Sequence, residues 1–156
     1  PAPSHIAAFW SMEYEPALQA LLRQWAEDDA LTVSLPAVLA PDAPLEFRPW
    51  TPETPMRQGA YGIQEPDGTA SATPPDIVLV PTLGFTRQGD RLGYGGGYYD
   101  RSLAALRQSG HALTAIGIAW ACGDLSHTDY APAAHDVRLD SILTDKGWAV
   151  PAPTLR

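Results

Sequence analysis

Apolar residues recur along this chain in short blocks separated by glycine, proline and acidic positions, and two periods can be read from them. Ile6-Ala7-Ala8-Phe9-Trp10 is a continuous apolar run of strand length. Leu18, Leu21, Leu22 and Trp25 then recur at i, i+3, i+4 and i+7, the spacing that puts side chains on one helical face. Pro16 suits the first turn of that helix, because its missing N–H would be unpaired there anyway. Glu27-Asp28-Asp29 closes it as a solvated end. Residues 31–38 predict a second strand, and a proline-rich turn leads to a third, short one at 45–50. A strand at 76–81, a helix over 98–108 that stops near Ser109-Gly110, a strand at 114–120 and a last one at 141–144 complete the pattern. Strands alternating with helices predict one α/β domain over residues 1–150, with a mostly parallel sheet and a frayed tail at 151–156.

Between residues 51 and 75 the periodicity fails. This stretch carries five prolines and Gly59, Gly62 and Gly68, and reads as a long loop. Long ordered loops in compact domains often carry function. No internal repeat and no low-complexity segment is visible.

Composition narrows the possible partners. A length of 156 residues with 45% hydrophobic content allows one well-packed core. The net charge is −8 and Lys146 is the only lysine, which argues against a nucleic-acid surface. No apolar run approaches the roughly 20 residues of a membrane span. A soluble, cytoplasmic, monomeric protein is expected. Cys122, the single cysteine, excludes an internal disulfide and a cysteine-rich zinc site, and is expected to be a buried, inert thiol. The four histidines lack ligand spacing.

The chemistry concentrates in Arg91-Leu92-Gly93-Tyr94-Gly95-Gly96-Gly97-Tyr98-Tyr99-Asp100-Arg101, between the 76–81 strand and the 98–108 helix. Glycines strip side chains from this loop, so backbone N–H groups can close around one anion. The helix N-terminus that follows favours phosphate through its free N–H groups and its dipole. Asp100 beside a phosphate calls for a cation, which suggests a nucleotide with Mg²⁺. The segment lacks the Gly-Lys-Ser/Thr ending of a P-loop, and no acidic strand end follows at the dinucleotide-binding distance. The interleaved tyrosines either pack the loop on the sheet or stack on a flat ligand.

The same residues carry a resemblance. Val80-Pro81-Thr82-Leu83-Gly84-Phe85 followed by the segment Gly89 to Arg101 is similar to the hallmark of the 5-formyltetrahydrofolate cyclo-ligase (methenyltetrahydrofolate synthetase) family. Further matches run in family order: Ser11-Met12-x-x-Glu15, Leu35-Pro36, Leu45-x-Phe47-Arg48-x-Trp50, Gly59-x-x-Gly62-Ile63-x-Glu65-Pro66 and His135-Asp136-Val137-x-Leu139-Asp140. The resemblance implies a three-layer α/β/α sandwich and an ATP- and Mg²⁺-dependent conversion of 5-formyltetrahydrofolate to 5,10-methenyltetrahydrofolate, with release of ADP and phosphate. It implies nucleotide contacts along Arg91, Leu92, Gly93, Tyr94, Gly95, Gly96, Gly97, Tyr98 and Tyr99, with Arg91 and Tyr98 as catalytic residues. Folate contacts are implied at Trp10, Glu15, Tyr94, Gly95, Gly96, Gly97 and Tyr98, and Mg²⁺ ligands at Asp100 and Asp136.

Three departures accompany these matches. Thr82 stands where the family has glycine, Trp120-Ala121-Cys122-Gly123 lacks the usual Phe and Gln, and Ala131 replaces a proline. The family opens with a basic helix that has no counterpart here, and a preceding stretch is expected.

The remaining candidates have plainer readings. Glu15 could serve as a charge at a helix N-terminus, Trp10, Trp50 and Trp120 as core aromatics, and His135 as a turn residue. Glu65 could bond loop N–H groups or touch a ligand. A non-catalytic folate- or nucleotide-binding module of the same fold is the second functional reading. A sugar-phosphate isomerase or acyl-CoA transferase on a similar scaffold is a third, resting on fold analogy alone.

Overall fold

A computed structural model describes residues 3–151; most of the expected 151–156 tail lies outside the described residues. In chain order the elements are β1 (His5–Ala7), α1 (Gln19–Ala26), β2 (Thr32–Ala37), β3 (Glu46–Pro49), β4 (Met56–Gln58), β5 (Gln64–Pro66), β6 (Ile77–Pro81), β7 (Gly84–Phe85), β8 (Arg91–Leu92), α2 (Tyr98–Gln108), β9 (Thr114–Ala119), β10 (Ser141–Thr144) and β11 (Gly147–Val150). Seven strands form the main sheet in the order β11-β10-β9-β6-β1-β2-β3. The five central strands are parallel, and β3 and β11 close the two edges antiparallel.

Period-two alternation on the buried strands sorts the core into two halves. Leu79, Ile116 and Ile118 join Leu22 of α1, whereas Val78, Val80, Ala115 and Ala119 join Leu103 of α2. The two helices therefore cover opposite faces, which makes a single α/β domain of three layers. Leu22 and Leu103 are both fully buried, and each such side chain contributes about 1.5–3 kcal/mol.

Placing the helices on opposite faces also fixes the direction of winding. The unit β1-α1-β2 runs toward one edge of the sheet and β6-α2-β9 toward the other, while β1 and β6 lie side by side and parallel. Right-handed crossovers in opposite directions need opposite faces. The order thus reverses between β1 and β6, and a crevice opens at their carboxyl ends, where α/β sheets bind ligands.

Several expectations need correction. Pro16 does not begin the helix, which starts at Gln19 after Leu18. The Ser11 hydroxyl donates to the Pro16 carbonyl and accepts the Leu18 N–H, so this segment is held in a side-chain-stapled turn. The 51–75 stretch is no plain loop, since β4 and β5 pair within it as a small antiparallel sheet. The pair β7–β8 and the edge strand β11 are likewise absent from the hydrophobic pattern. Trp120 and Cys122 are exposed rather than buried. No described helix is long and apolar enough to cross a membrane.

Candidate functional site

A cleft of about 720 Å³ occupies the crevice at the carboxyl ends of the sheet, within the roughly 300–1,000 Å³ of small-molecule sites. Phe9 and Trp10 follow β1, Pro36 and Val38 come from the end of β2, and Pro81 ends β6; all line it. So does every residue that the sequence singles out: Trp10, Glu15, the whole run from Arg91 to Tyr99, Asp100 and Asp136. The fold brings these together from segments up to 126 positions apart (136 minus 10).

The glycine loop is shaped by two requirements. Gly95 (φ +90°) and Gly97 (φ +69°) adopt the left-handed conformation that L side chains avoid, and Gly97 stands immediately before α2. Gly93 instead makes room, because a Cβ there would run into the Arg91 guanidinium. That guanidinium donates from Nη2 to the Pro81 carbonyl at 2.8 Å and sits 5.7 Å from the Tyr99 ring. Burial pushes its pKa below the ordinary arginine value, with nearby Asp100 opposing; it stays cationic at neutral pH. Arg91 Nε and the Tyr99 hydroxyl oxygen are buried without a hydrogen-bond partner. Tyr130, whose hydroxyl donates to the Arg91 carbonyl at 2.9 Å, completes this wall.

Tyrosines tie the loop across the cleft on two sides. The Tyr94 hydroxyl donates to Glu15 Oε2 at 2.8 Å, and its ring lies 6.1 Å from that of Tyr14. Partial burial and the Glu15 carboxylate push the Tyr94 hydroxyl well above its usual range. Glu15 Oε1 accepts the Met12 N–H at 2.6 Å, so Ser11-Met12-x-x-Glu15 forms a closed turn rather than a helix start. On the other side the Tyr98 and Tyr61 hydroxyls are 3.1 Å apart, which raises the Tyr98 pKa. Arg101 stacks over Tyr98 at 5.1 Å and donates to the Gly96 carbonyl at 2.6 Å.

The two aspartates stand at the junction of α2 with the 133–137 turn. Asp100 Oδ1 accepts the Val137 N–H and Asp136 Oδ2 the Ala133 N–H, both at 2.9 Å, which leaves a second oxygen on each. His135 Nε2 lies 3.5 Å from Asp136 Oδ1. Among the described residues no three His, Cys, Asp or Glu side chains cluster as a complete metal cage. A pair of carboxylates is nonetheless the usual protein share of a Mg²⁺ site, where phosphates and water supply the rest.

Tyr14, Tyr61 and Tyr130 also line the cleft with no functional reading from the sequence, and so does Glu65, for which the sequence leaves loop anchor and ligand contact both open. For Glu65 the signal is its place in the Gly59-x-x-Gly62-Ile63-x-Glu65-Pro66 match, and for Tyr61 the functional character of long loops. Tyr130 left no signal of its own.

Comparison with known proteins converges on one family. The model described as 5-formyltetrahydrofolate cyclo-ligase family matches residues 2–145. A 5-formyltetrahydrofolate cyclo-ligase of Haemophilus influenzae is 34% identical over 147 residues, covering 89% of this chain and 74% of that protein. One from Mycolicibacterium smegmatis is 32% identical over 108 residues, covering 66% and 52%. The NMR structure of Aquifex aeolicus 5,10-methenyltetrahydrofolate synthetase shares the fold with a TM-score of 0.75 at 23% identity, covering 99% of this chain and 76% of that one.

Proposed function

This chain belongs to the 5-formyltetrahydrofolate cyclo-ligase family, and on that premise we propose that it closes 5-formyltetrahydrofolate to 5,10-methenyltetrahydrofolate at the expense of ATP, with Mg²⁺. The observation that carries the proposal is the junction of two walls in one cleft. The Arg91–Tyr99 loop offers backbone N–H groups and a buried guanidinium with an unpartnered Nε. The opposite wall offers Trp10 and Glu15.

The residues divide by chemistry. A formyl oxygen is a poor leaving group, so ATP supplies the phosphoryl group that activates it. Such transfer depends on positioning and on neutralising phosphate charge more than on a covalent residue. Arg91 and the loop from Leu92 to Tyr99 hold the phosphates, with the guanidinium fixed by the Pro81 carbonyl and the Tyr99 ring. Tyr98, fixed between Tyr61 and Arg101, presents its hydroxyl at the reacting end. Trp10, Glu15 and the Tyr94–Gly97 edge of the loop hold the folate. Asp100 and Asp136 each retain a carboxylate oxygen for Mg²⁺. Residues 1–150 supply one cyclo-ligase-like domain of the enzyme, which we take to act as a monomer in the cytoplasm.

A non-catalytic binding module is the other reading from sequence, and the relatives, which are named as enzymes, do not favour it. Incubating the full-length protein with ATP, Mg²⁺ and 5-formyltetrahydrofolate is expected to produce the near-ultraviolet absorbance of the methenyl product. No rise with properly folded protein refutes the proposal.

A further inference from the structure

Glu65 is the most deeply buried acid of the cleft, 3% exposed on β5. Its Oε2 accepts the Val38 N–H at 2.9 Å, which ties β5 to the end of β2. Its Oε1 takes part in no hydrogen bond among the described residues. The only cation paired with that Oε1 among the described residues is Arg57, whose Nη2 stands 4.0 Å away on a side chain more than half exposed, too long for a hydrogen bond. Gly59 is glycine for this carboxylate's sake, since a Cβ there would collide with it. An anchor for one N–H needs only an amide or hydroxyl, and a buried charge whose one ion-pair partner is solvent-exposed and beyond hydrogen-bond reach is costly unless it is used.

The other acids of the cleft are spoken for. Glu15 uses both oxygens, on Met12 and Tyr94. Asp100 and Asp136 belong to the far wall beside α2. Val38, whose N–H Glu65 holds, lines the cleft together with Ile63 and Trp10, apolar surfaces suited to a flat ring.

Resting on the function proposed above, we infer that Glu65 is a substrate-recognition residue: its Oε1 accepts hydrogen bonds from the amino-pyrimidinone N–H edge of the folate's fused ring, while Val38 and Gly59 hold the carboxylate in place. The inference assigns Glu65 to the folate and not to ATP or Mg²⁺.

Calorimetric titration with 5-formyltetrahydrofolate, without ATP, tests it. Glu65→Gln keeps an acceptor for the Val38 N–H but turns a donor toward the ring. It is expected to bind the folate about 10- to 100-fold more weakly, the span of one charge-assisted hydrogen bond, with unchanged Tm and ATP affinity. A second arm alters the ligand: the 2-desamino analogue of the folate is expected to lose affinity on the wild type but little on the Glu65→Gln variant. Unchanged folate affinity in the variant, or equal loss of ATP and folate affinity with a lowered Tm, overturns the inference and leaves Glu65 as an anchor. A wild-type protein that binds no folate at all refutes the proposed function itself.

Discussion

Replacing Asp100 by asparagine separates its two possible duties. In the structure its Oδ1 accepts the Val137 N–H at 2.9 Å, and it stands in the first turn of α2. Asparagine can still accept that N–H, so the structural loss is confined to the charge. That loss combines the weaker hydrogen bond with the lost helix-dipole interaction, the latter about 0.3–1 kcal/mol. In total we expect about 1 kcal/mol, or a fall in Tm of about 2–4 °C for a domain of this size. If Asp100 holds Mg²⁺ against the phosphates, losing that charge costs roughly 3 kcal/mol of transition-state stabilisation, or about 10²-fold in turnover. The assay is the near-ultraviolet absorbance rise across a Mg²⁺ titration, with thermal unfolding in parallel. Asp100→Ala would lower Tm further by stranding the Val137 N–H, which makes asparagine the cleaner probe. Turnover within a few-fold of wild type, with an unchanged Mg²⁺ requirement, would show that Asp100 only fastens α2 to the 137 turn and that the metal assignment is wrong.

Arg91→Lys is expected to reduce turnover by about 10²-fold and to raise the KM for ATP, since an ammonium reproduces neither the planar fork nor the stacking on Tyr99; steady-state kinetics that match wild type would contradict the phosphate role. The buried His5 ring, held between the Thr73 carbonyl and the Ser34 hydroxyl, has its pKa pushed below 6.5 by desolvation. The unfolded chain therefore takes up that proton first, so His5's contribution to stability is complete above about pH 6.5 and is lost as pH falls through the lower folded value. Urea midpoints at about pH 7.5 and about pH 5.5 should differ less in His5→Gln than in wild type, and an unchanged difference would remove His5 as the cause. Leu22→Ala is expected to cost about 2–5 kcal/mol by urea unfolding, whereas Leu21→Ala, at a position 36% exposed one residue away, should cost far less; equal losses would disprove the assignment of the buried face of α1.

The amino-acid sequence by itself determined the α/β class, because buried strands and one-sided helices must carry their apolar residues at periods that survive without coordinates. Ile77 to Pro81, Thr114 to Ala119 and the Leu18-Leu22-Trp25 part of the apolar stripe register in this way, whereas Leu21, placed on the same face by its spacing, is 36% exposed. The glycine loop was equally legible, since Gly95 and Gly97 meet a conformational demand that no other residue meets cheaply. The β4–β5 pair was not. Met56–Gln58 and Gln64–Pro66 are three residues each, too short to show a period, and they are stabilised by pairing with each other and by Glu65 reaching Val38. The exposure of Trp120 was hidden for a related reason: its indole N–H bonds the Tyr14 carbonyl at 2.8 Å, a partner 106 positions away. Only the tertiary structure decided that α1 and α2 cover opposite faces of the sheet. That choice reverses the winding between β1 and β6, and it places Trp10, Glu65 and the Arg91 loop around one cleft. Local propensity acts over a few residues, whereas such a site is made by contacts across most of the chain.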